Sequence, residues 1–379
     1  MLLPTVTLLA SLDPLLRERA IAAAHAGDDT LVVVRHELTT LHLDGRMRRR
    51  SEHRSGAEEI SRSVDERCCL SCLLRDDAEE ALRGLAGRRV LLALPPPVEP
   101  ANVATALVDA GAAHVSAIAA ALDVRLLEAR LHAPELLSSI EDLGDDPRTV
   151  AEVAARHLAH ADVVLHDGAD DRALALVDAL SGGVPQRAVD DPIWPGVARH
   201  DHATFLARLQ AGVPGCRGSV RRDGVEQRCW HRRRPLHPQR LLALLESDDL
   251  DGLARACGWL WVATRPGTVL ELDACGGSYE LGAVDAWLDA VDDHGPAHPA
   301  RREVADRRWD PYYGDRAQDL VLTTLDRDLD EVVPLLDACL LTDAELADGP
   351  DVWRTWSDPL SPWLGDETEL LRTVSEEPS

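Results

Sequence analysis

The sequence predicts a doubly wound α/β domain with a parallel sheet, followed by a smaller α+β domain. Short apolar runs at residues 30–35 (TLVVVR), 89–94 (RVLLAL) and 162–166 (DVVLH) read as strands buried on both faces. Helix-length segments separate them, and strands alternating with helices imply parallel crossovers. In the second half, Asp223-Gly224 lies between 218–222 and 225–231, a strong hairpin signal.

Taken in order, 4–10 is an expected strand, 14–26 a helix and 30–35 the second strand. A helix follows over 76–85, then a strand over 89–94, halted by Pro95-Pro96-Pro97. Next come a helix at 102–110, a strand at 114–122, a helix at 149–160, a strand at 162–166 and a helix at 171–180. Beyond the hairpin, 240–245 is helical and 259–264 and 268–273 are strand-like, separated by Arg265-Pro266-Gly267. A helix at 283–291, a strand at 319–325 and a helix at 329–339 complete the second domain. The expected division is a first domain over 1–186, a linker over 187–214, a second domain over 215–345 and an acidic tail over 346–379. Trp353, Trp356 and Trp363 are spaced along that tail as anchors. No internal repeat is evident.

Composition narrows the function classes. At 379 residues the chain is long enough for two sizeable cores. Apolar residues at 45% and charged residues at 28% fit a globular protein. A net charge of −26 argues against an anionic membrane surface and against direct, sequence-specific nucleic-acid binding. All 40 basic residues are arginine, and the composition suggests a GC-rich bacterial genome. The apolar start, 1–10, lacks a basic leader and a small-residue cleavage site, so no signal peptide is expected. No apolar run reaches the roughly 20 residues of a membrane helix. Eight scattered cysteines make no disulfide scaffold, and a cytoplasmic protein with reduced thiols is expected.

The chemistry concentrates in Cys68-Cys69-Leu70-Ser71-Cys72, immediately before an apolar helical run. Cys69 and Cys72 have the C-x-x-C spacing that brings two thiolates to one soft cation, with Cys68 beside them. Zinc is the expected metal. Two other readings stay open: a helix start whose cysteines serve as small hydrophobes, and a thiol redox pair.

The loop after the first strand is where a nucleotide-binding fold of this class cradles phosphate. Here it reads Ser11-Leu12-Asp13-Pro14. A phosphate loop needs glycines, so that backbone N–H groups surround the anion, and a lysine to offset charge. The first glycine is Gly27, there is no lysine, and Asp13 repels phosphate. GTP is therefore not an expected cofactor, and hydrolysis is not expected either.

Other residues carry weaker signals. Arg46, Arg48, Arg49 and Arg50, like Arg232, Arg233 and Arg234, read as solvated basic runs paired with nearby carboxylates. Cys216 and Cys229 flank the hairpin and read as separate thiols; Cys257, Cys275 and Cys339 read as core. Trp259 and Trp261 alternate on one strand, with core packing the default. His237, before Pro238, caps or packs at a helix start, or joins Arg240 in a partner contact; the structural role is favoured.

Together these residues resemble the CobW-like family of P-loop GTPases and metallochaperones. Residues 69–77 (CLSCLLRDD) look like the family's metal-binding cysteine motif. Residues 94–100 sit at its Walker B position, 119–128 at its Val-Asp-Ala strand with Asp123 as the acid, and 161–170 at its guanine-reading strand. Residues 234–241 (RPLHPQRL), 258–266 (GWLWVATRP) and 276–278 resemble its C-terminal domain. Walker A is missing, Ala93 replaces the Walker B acid, and 166–170 (HDGAD) replaces Asn-Lys-x-Asp, leaving Asp170. Ser11, Asp13 and Asp170 are thus degenerate nucleotide positions in a degenerate P-loop fold. Residues 309–316 and 337–342 resemble an actinobacterial, MRF-like branch. That likeness implies recruitment of a ribosome hibernation factor to the small ribosomal subunit under zinc limitation. The alternative is a GTP-binding zinc metallochaperone.

Overall fold

The computed structural model describes residues 2–38, 46–53, 56–63, 70–139, 146, 148–209, 219–291 and 297–367, with backbone alone at 70–72. Two units emerge, Met1–His202 and Ala203–Ser379.

In chain order the first unit comprises β1 (Thr5–Ala10), α1 (Pro14–Gly27), β2 (Val32–Glu37), β3 (Arg46–His53) and β4 (Gly56–Ser63). Next are α2 (Leu70–Arg83), β5 (Arg89–Ala93), α3 (Pro100–Asp109), β6 (His114–Asp123) and α4 (Leu127–Leu131). It ends with α5 (Val150–Ala159), β7 (Val163–Asp167), α6 (Asp171–Ser181) and β8 (Gln186–Ala188). The sheet order is β4-β3-β2-β5-β1-β6-β7-β8. Strands β2, β5, β1, β6, β7 and β8 are parallel, as the alternating pattern predicts. Leu9 sits opposite Ala93 on one side and Ala119 on the other, and all three are buried. The order reverses between β1 and β6, so the ligand crevice of such a sheet lies at their carboxyl ends.

Strands β3 and β4 were not anticipated; they extend the parallel sheet as an antiparallel hairpin. The run Arg46–Arg50 reads as solvated surface because four of its five residues are arginine. Strand alternation instead buries Met47 and Arg49 and leaves Arg50 exposed. The expected solvated run is corrected at Arg49, which is only 6% exposed.

Local chemistry sets the helix ends. Asp13 caps α1 ahead of Pro14, and Asp170 caps α6, which closes on left-handed Gly182. Helix α5 opens with a capping box between Thr149 and Glu152. The residues after β8 pack back onto this unit: a Cβ at Gly27 would meet the Pro192 carbonyl oxygen at 2.0 Å, so only glycine fits. Trp194 is fully buried, and its Nε1 donates to the Ala20 carbonyl at 3.0 Å.

The second unit contains α7 (His202–Leu209, with His202 the last residue of the first unit), β9 (Val220–Arg222), β10 (Val225–Arg232), α8 (Pro238–Leu245) and β11 (Leu253–Leu260). It continues with β12 (Thr268–Cys275), β13 (Ser278–Ala286), α9 (Pro299–Arg308), β14 (Gln318–Leu325) and α10 (Leu329–Ala338). Three short helices follow: α11 (Asp343–Asp348), α12 (Pro350–Trp353) and α13 (Ser361–Leu364). Its sheet, in the order β13-β12-β11-β14-β10-β9, is antiparallel in every pairing. Asp223 and Gly224 both take positive φ in the predicted turn. The helix expected at 283–291 is corrected: Gly276 and Gly277, at φ 61° and 85°, turn β12 into β13 instead.

Trp259 and Trp261 are buried, meeting Trp287 and Trp353 edge-on at 6.3 Å. The Arg301 guanidinium lies 4.8 Å from the Trp259 ring centre and is ion-paired with Asp315. Of the expected tail anchors, Trp353 is buried and Trp356 partly buried, whereas Trp363 is 66% exposed. Arg265, fully buried, fixes the tail through Asp358 at 2.7 Å and the Gly365 carbonyl at 2.7 Å.

Glu99, before α3, receives Arg148 and Arg156, each at 2.8 Å. Burial pushes its carboxyl up, but Arg156, with His160 and Arg148, outweighs burial and brings it down to about 2. The folded value lies below the ordinary 4.5, so this stabilisation is complete above that pH and fades as pH falls toward 2. Glu99→Gln is expected to cost about 3 kcal/mol near neutrality. Urea unfolding should show the gap between parent and variant closing between pH 4.5 and 2.

Candidate functional site

At the carboxyl ends of β1 and β6, where the crevice should open, the chain bonds to itself. The buried Ser11 hydroxyl donates to the Ala121 carbonyl at 2.7 Å and accepts from the Asp13 N–H at 3.0 Å. The Asp13 carboxylate accepts from Leu15 N at 3.0 Å and Leu16 N at 3.2 Å. These are the helix-terminal N–H groups that bind phosphate in other folds of this shape. Arg130 lies 3.7 Å from the other Asp13 oxygen. The positive end of α1 therefore faces a carboxylate belonging to the chain itself.

The same edge carries a row of ion pairs. Arg19 meets Asp167 at 2.8 Å and also pairs with Asp190; Arg125 meets Asp123 at 2.6 Å and Asp167 at 3.4 Å. The Arg125 hydrogen bond holds the Asp123 carboxyl below its ordinary value. The Asp170 carboxylate accepts from Ala173 N at 2.7 Å. Ala93 ends β5 almost fully buried.

Cys72 falls in the opening turn of α2, whereas Cys68 and Cys69 lie outside the described residues. Among the described residues, no group of three or more His, Cys, Asp or Glu side chains is placed to hold a metal ion. What the structure adds is a buried charge cluster on the same helix. Asp77, 1% exposed, meets His36 Nε2 at 2.9 Å, Arg49 at 3.0 Å and Arg62 at 2.7 Å. Burial pushes the Asp77 carboxyl up; its three partners outweigh that and hold it below the ordinary value. The sequence did contain a signal. Leu74, Asp77, Ala78 and Leu82 form one helical stripe, and a carboxylate in an apolar stripe needs a partner.

In the second unit, His237 and Arg240 are engaged internally. His237 precedes α8 and stacks on Trp356 at 5.3 Å. Its N–H donates to the Cys339 carbonyl at 2.8 Å. Arg240 grips Glu345 at 2.9 and 2.8 Å and donates to the Leu340 carbonyl at 3.0 Å. Arg232, Arg233 and Arg234 likewise bond to Asp337, to the Gly314 and Arg316 carbonyls, and to Asp343. Cys257, Cys275 and Cys339 are buried free thiols, as expected of core residues. Cys229 is disulfide-bonded, correcting its reading as a separate thiol; Cys216 lies outside the described residues.

Residues 225–340 match the model of the cobalamin synthesis protein CobW C-terminal domain. The chain is also 31% identical over 325 residues to the zinc chaperone Rv0106 of Mycobacterium tuberculosis, covering 79% of each. The chain belongs to the CobW family. The CobW C-terminal match begins at β10 and ends just beyond α10, so it covers the core of the antiparallel unit. A second relative is the zinc-regulated GTPase metalloprotein activator 1 of Dictyostelium discoideum. It is 31% identical over 151 residues, 38% of this chain and 31% of that protein. The solved structure of Zn(II)-bound YjiA GTPase from E. coli aligns over 90% of this chain and all of its own. It does so at 12% identity and a TM-score of 0.32, a likeness too loose to argue from.

In this CobW-family chain the role given to Asp13 is open to a direct check. Asp13→Ala should cost about 1 kcal/mol, the usual worth of an N-cap, whereas Asp13→Asn, which keeps the acceptor, should cost less than half as much. Chemical denaturation of the three proteins at pH 7 measures both.

Proposed function

We propose that this CobW-family chain is a zinc chaperone whose cargo site is built on Cys69 and Cys72, with Cys68 beside them. The observation that carries the reading is the similarity, over 79% of each chain, to a mycobacterial zinc chaperone, in a chain whose α2 has Cys72 of that C-x-x-C spacing in its opening turn. Two thiolates are soft, deprotonatable donors suited to Zn²⁺, and helix α2 supplies a stiff base for Cys72. Recruitment of a ribosome hibernation factor has no comparable support, because the relatives are named for zinc handling and GTPase chemistry.

The name of the Dictyostelium relative raises GTP as a driver of zinc transfer. The β1–α1 turn weighs against it in this chain. Phosphoryl transfer relies on backbone N–H groups, a lysine and Mg²⁺ ligands around the phosphates. Here Asp13 takes the first N–H groups of α1, lysine is absent, and Ala93 replaces the acid. Zinc binding by this reading is independent of nucleotide.

Chelator competition with the purified chain is expected to find about one tight zinc, lost when Cys69 and Cys72 are both changed to serine. Unchanged stoichiometry in that double variant would refute the assignment. Calorimetry should detect no Mg²⁺-dependent GTP binding; a micromolar affinity would instead favour a GTP-driven chaperone.

A further inference from the structure

The Asp77 cluster draws together four separate stretches of sequence. His36 lies on β2, Arg49 on β3, Arg62 on β4 and Asp77 on α2. Arg49 grips Asp77 twice, with Nη1 at 3.0 Å from a carboxylate oxygen and at 3.0 Å from the main-chain carbonyl. Arg62 lies 2.7 Å from the other carboxylate oxygen and also pairs with Glu80, one turn further along the helix. His36 completes the set at 2.9 Å, and both side chains of that contact are 1% exposed.

Stability alone does not explain such a group. Its neighbours on the α2 stripe are Leu74, Ala78 and Leu82, all buried, and an apolar residue at 77 would pack there without desolvating charge. What an ionic cluster adds is direction. Its ion-pair contacts are made at one axial position and one rotation of the helix, whereas an apolar stripe tolerates sliding. Cys72 is five residues earlier on the same helix, roughly 7.5 Å along its axis at 1.5 Å per residue. Fixing Asp77 therefore fixes where the opening turn of α2 stands relative to β2.

We propose that Asp77 is a positioning residue for the cysteine site, holding the opening turn of α2 in register with β2 through His36, Arg49 and Arg62. This inference rests on the zinc reading given above, and it adds what regulates that site: the order of the β3–β4 hairpin and the affinity of the thiols are coupled through one carboxylate. Coupling of this kind is reciprocal, so zinc occupancy also stabilises the hairpin.

The test compares zinc affinity, by chelator competition on the full chain, for Arg62→Met, Arg62→Lys, Asp77→Asn and Cys72→Ser, each confirmed folded by its thermal transition. Arg62→Met and Asp77→Asn are expected to bind zinc about 10-fold more weakly, as changes behind metal ligands commonly do. Arg62→Lys, which keeps the charge, should recover most of the loss. Amide exchange in 46–63 should slow on zinc addition in the parent and not in Arg62→Met. A purely structural role predicts lower melting temperatures with unchanged zinc affinity in the folded variants; that result overturns the proposal. If Asp77→Asn fails to fold, the partly exposed Arg62 decides. Loss of zinc in Cys72→Ser with full affinity in Arg62→Met removes only the positioning role. Full affinity in Cys72→Ser removes the zinc reading beneath it as well.

Discussion

Every α-helix begins with N–H groups that have no partner within the helix, and at the centre of a parallel sheet those groups point at the ligand crevice. In this chain α1 meets that requirement internally. The Asp13 carboxylate accepts from two of the groups, and Ser11 ties the end of β1 to the end of β6. Around them, Arg19 and Arg125 share Asp167 between β6 and β7. A free anion arriving here would have to displace a tethered one, which has the advantage of high effective concentration. The first N–H groups of α1 thus already have an acceptor within the chain.

The parallel core was legible because its signal is local. Apolar runs such as 30–35 and 162–166 are too short for helices and too continuous for half-exposed strands, so their class follows from burial on both faces. The helices expected at 14–26, 149–160 and 171–180 start within a residue of those positions, and the structure caps them with Asp13, Thr149 and Asp170. The β3–β4 hairpin was not legible, because its inward residues are Met47 and Arg49. An arginine facing inward is identified only by its acceptor, and Asp77 lies 28 residues away in the chain. Similarly, 283–291 carries enough alanine and leucine to suggest a helix. The glycine pair before β13 and the free hydrogen-bonding edge of β12 override that propensity.

The candidate site divides along the same line. The thiol spacing is a sequence property and was visible at once; the charge cluster that supports its helix is a tertiary property and was not. His237 and Arg240 show the converse. Their sequence context resembles a family signature, which invites a functional role. In the structure the His237 backbone joins α8 to the end of α10, and Arg240 clamps Glu345.

A lysine-free chain with 66 acidic residues must solve its buried electrostatics with guanidinium groups. It does so repeatedly: Arg49 with Asp77, Arg255 with Asp273, Arg265 with Asp358 and Arg301 with Asp315, each arginine side chain no more than 6% exposed. Lysine would serve poorly at such sites, since burial lowers its pKa and its ammonium offers a point charge without directional pairing. Arginine stays charged and bonds in several directions at once, as Arg265 does to a carboxylate and a carbonyl together. Each such group fixes the relative position of segments distant in sequence, a task that apolar packing performs with less specificity. In the first unit that capacity is spent on the helix whose opening turn contains Cys72. Buried arginines of this acidic protein thus act as internal fasteners, and one of them, Arg49, grips Asp77, five residues from Cys72.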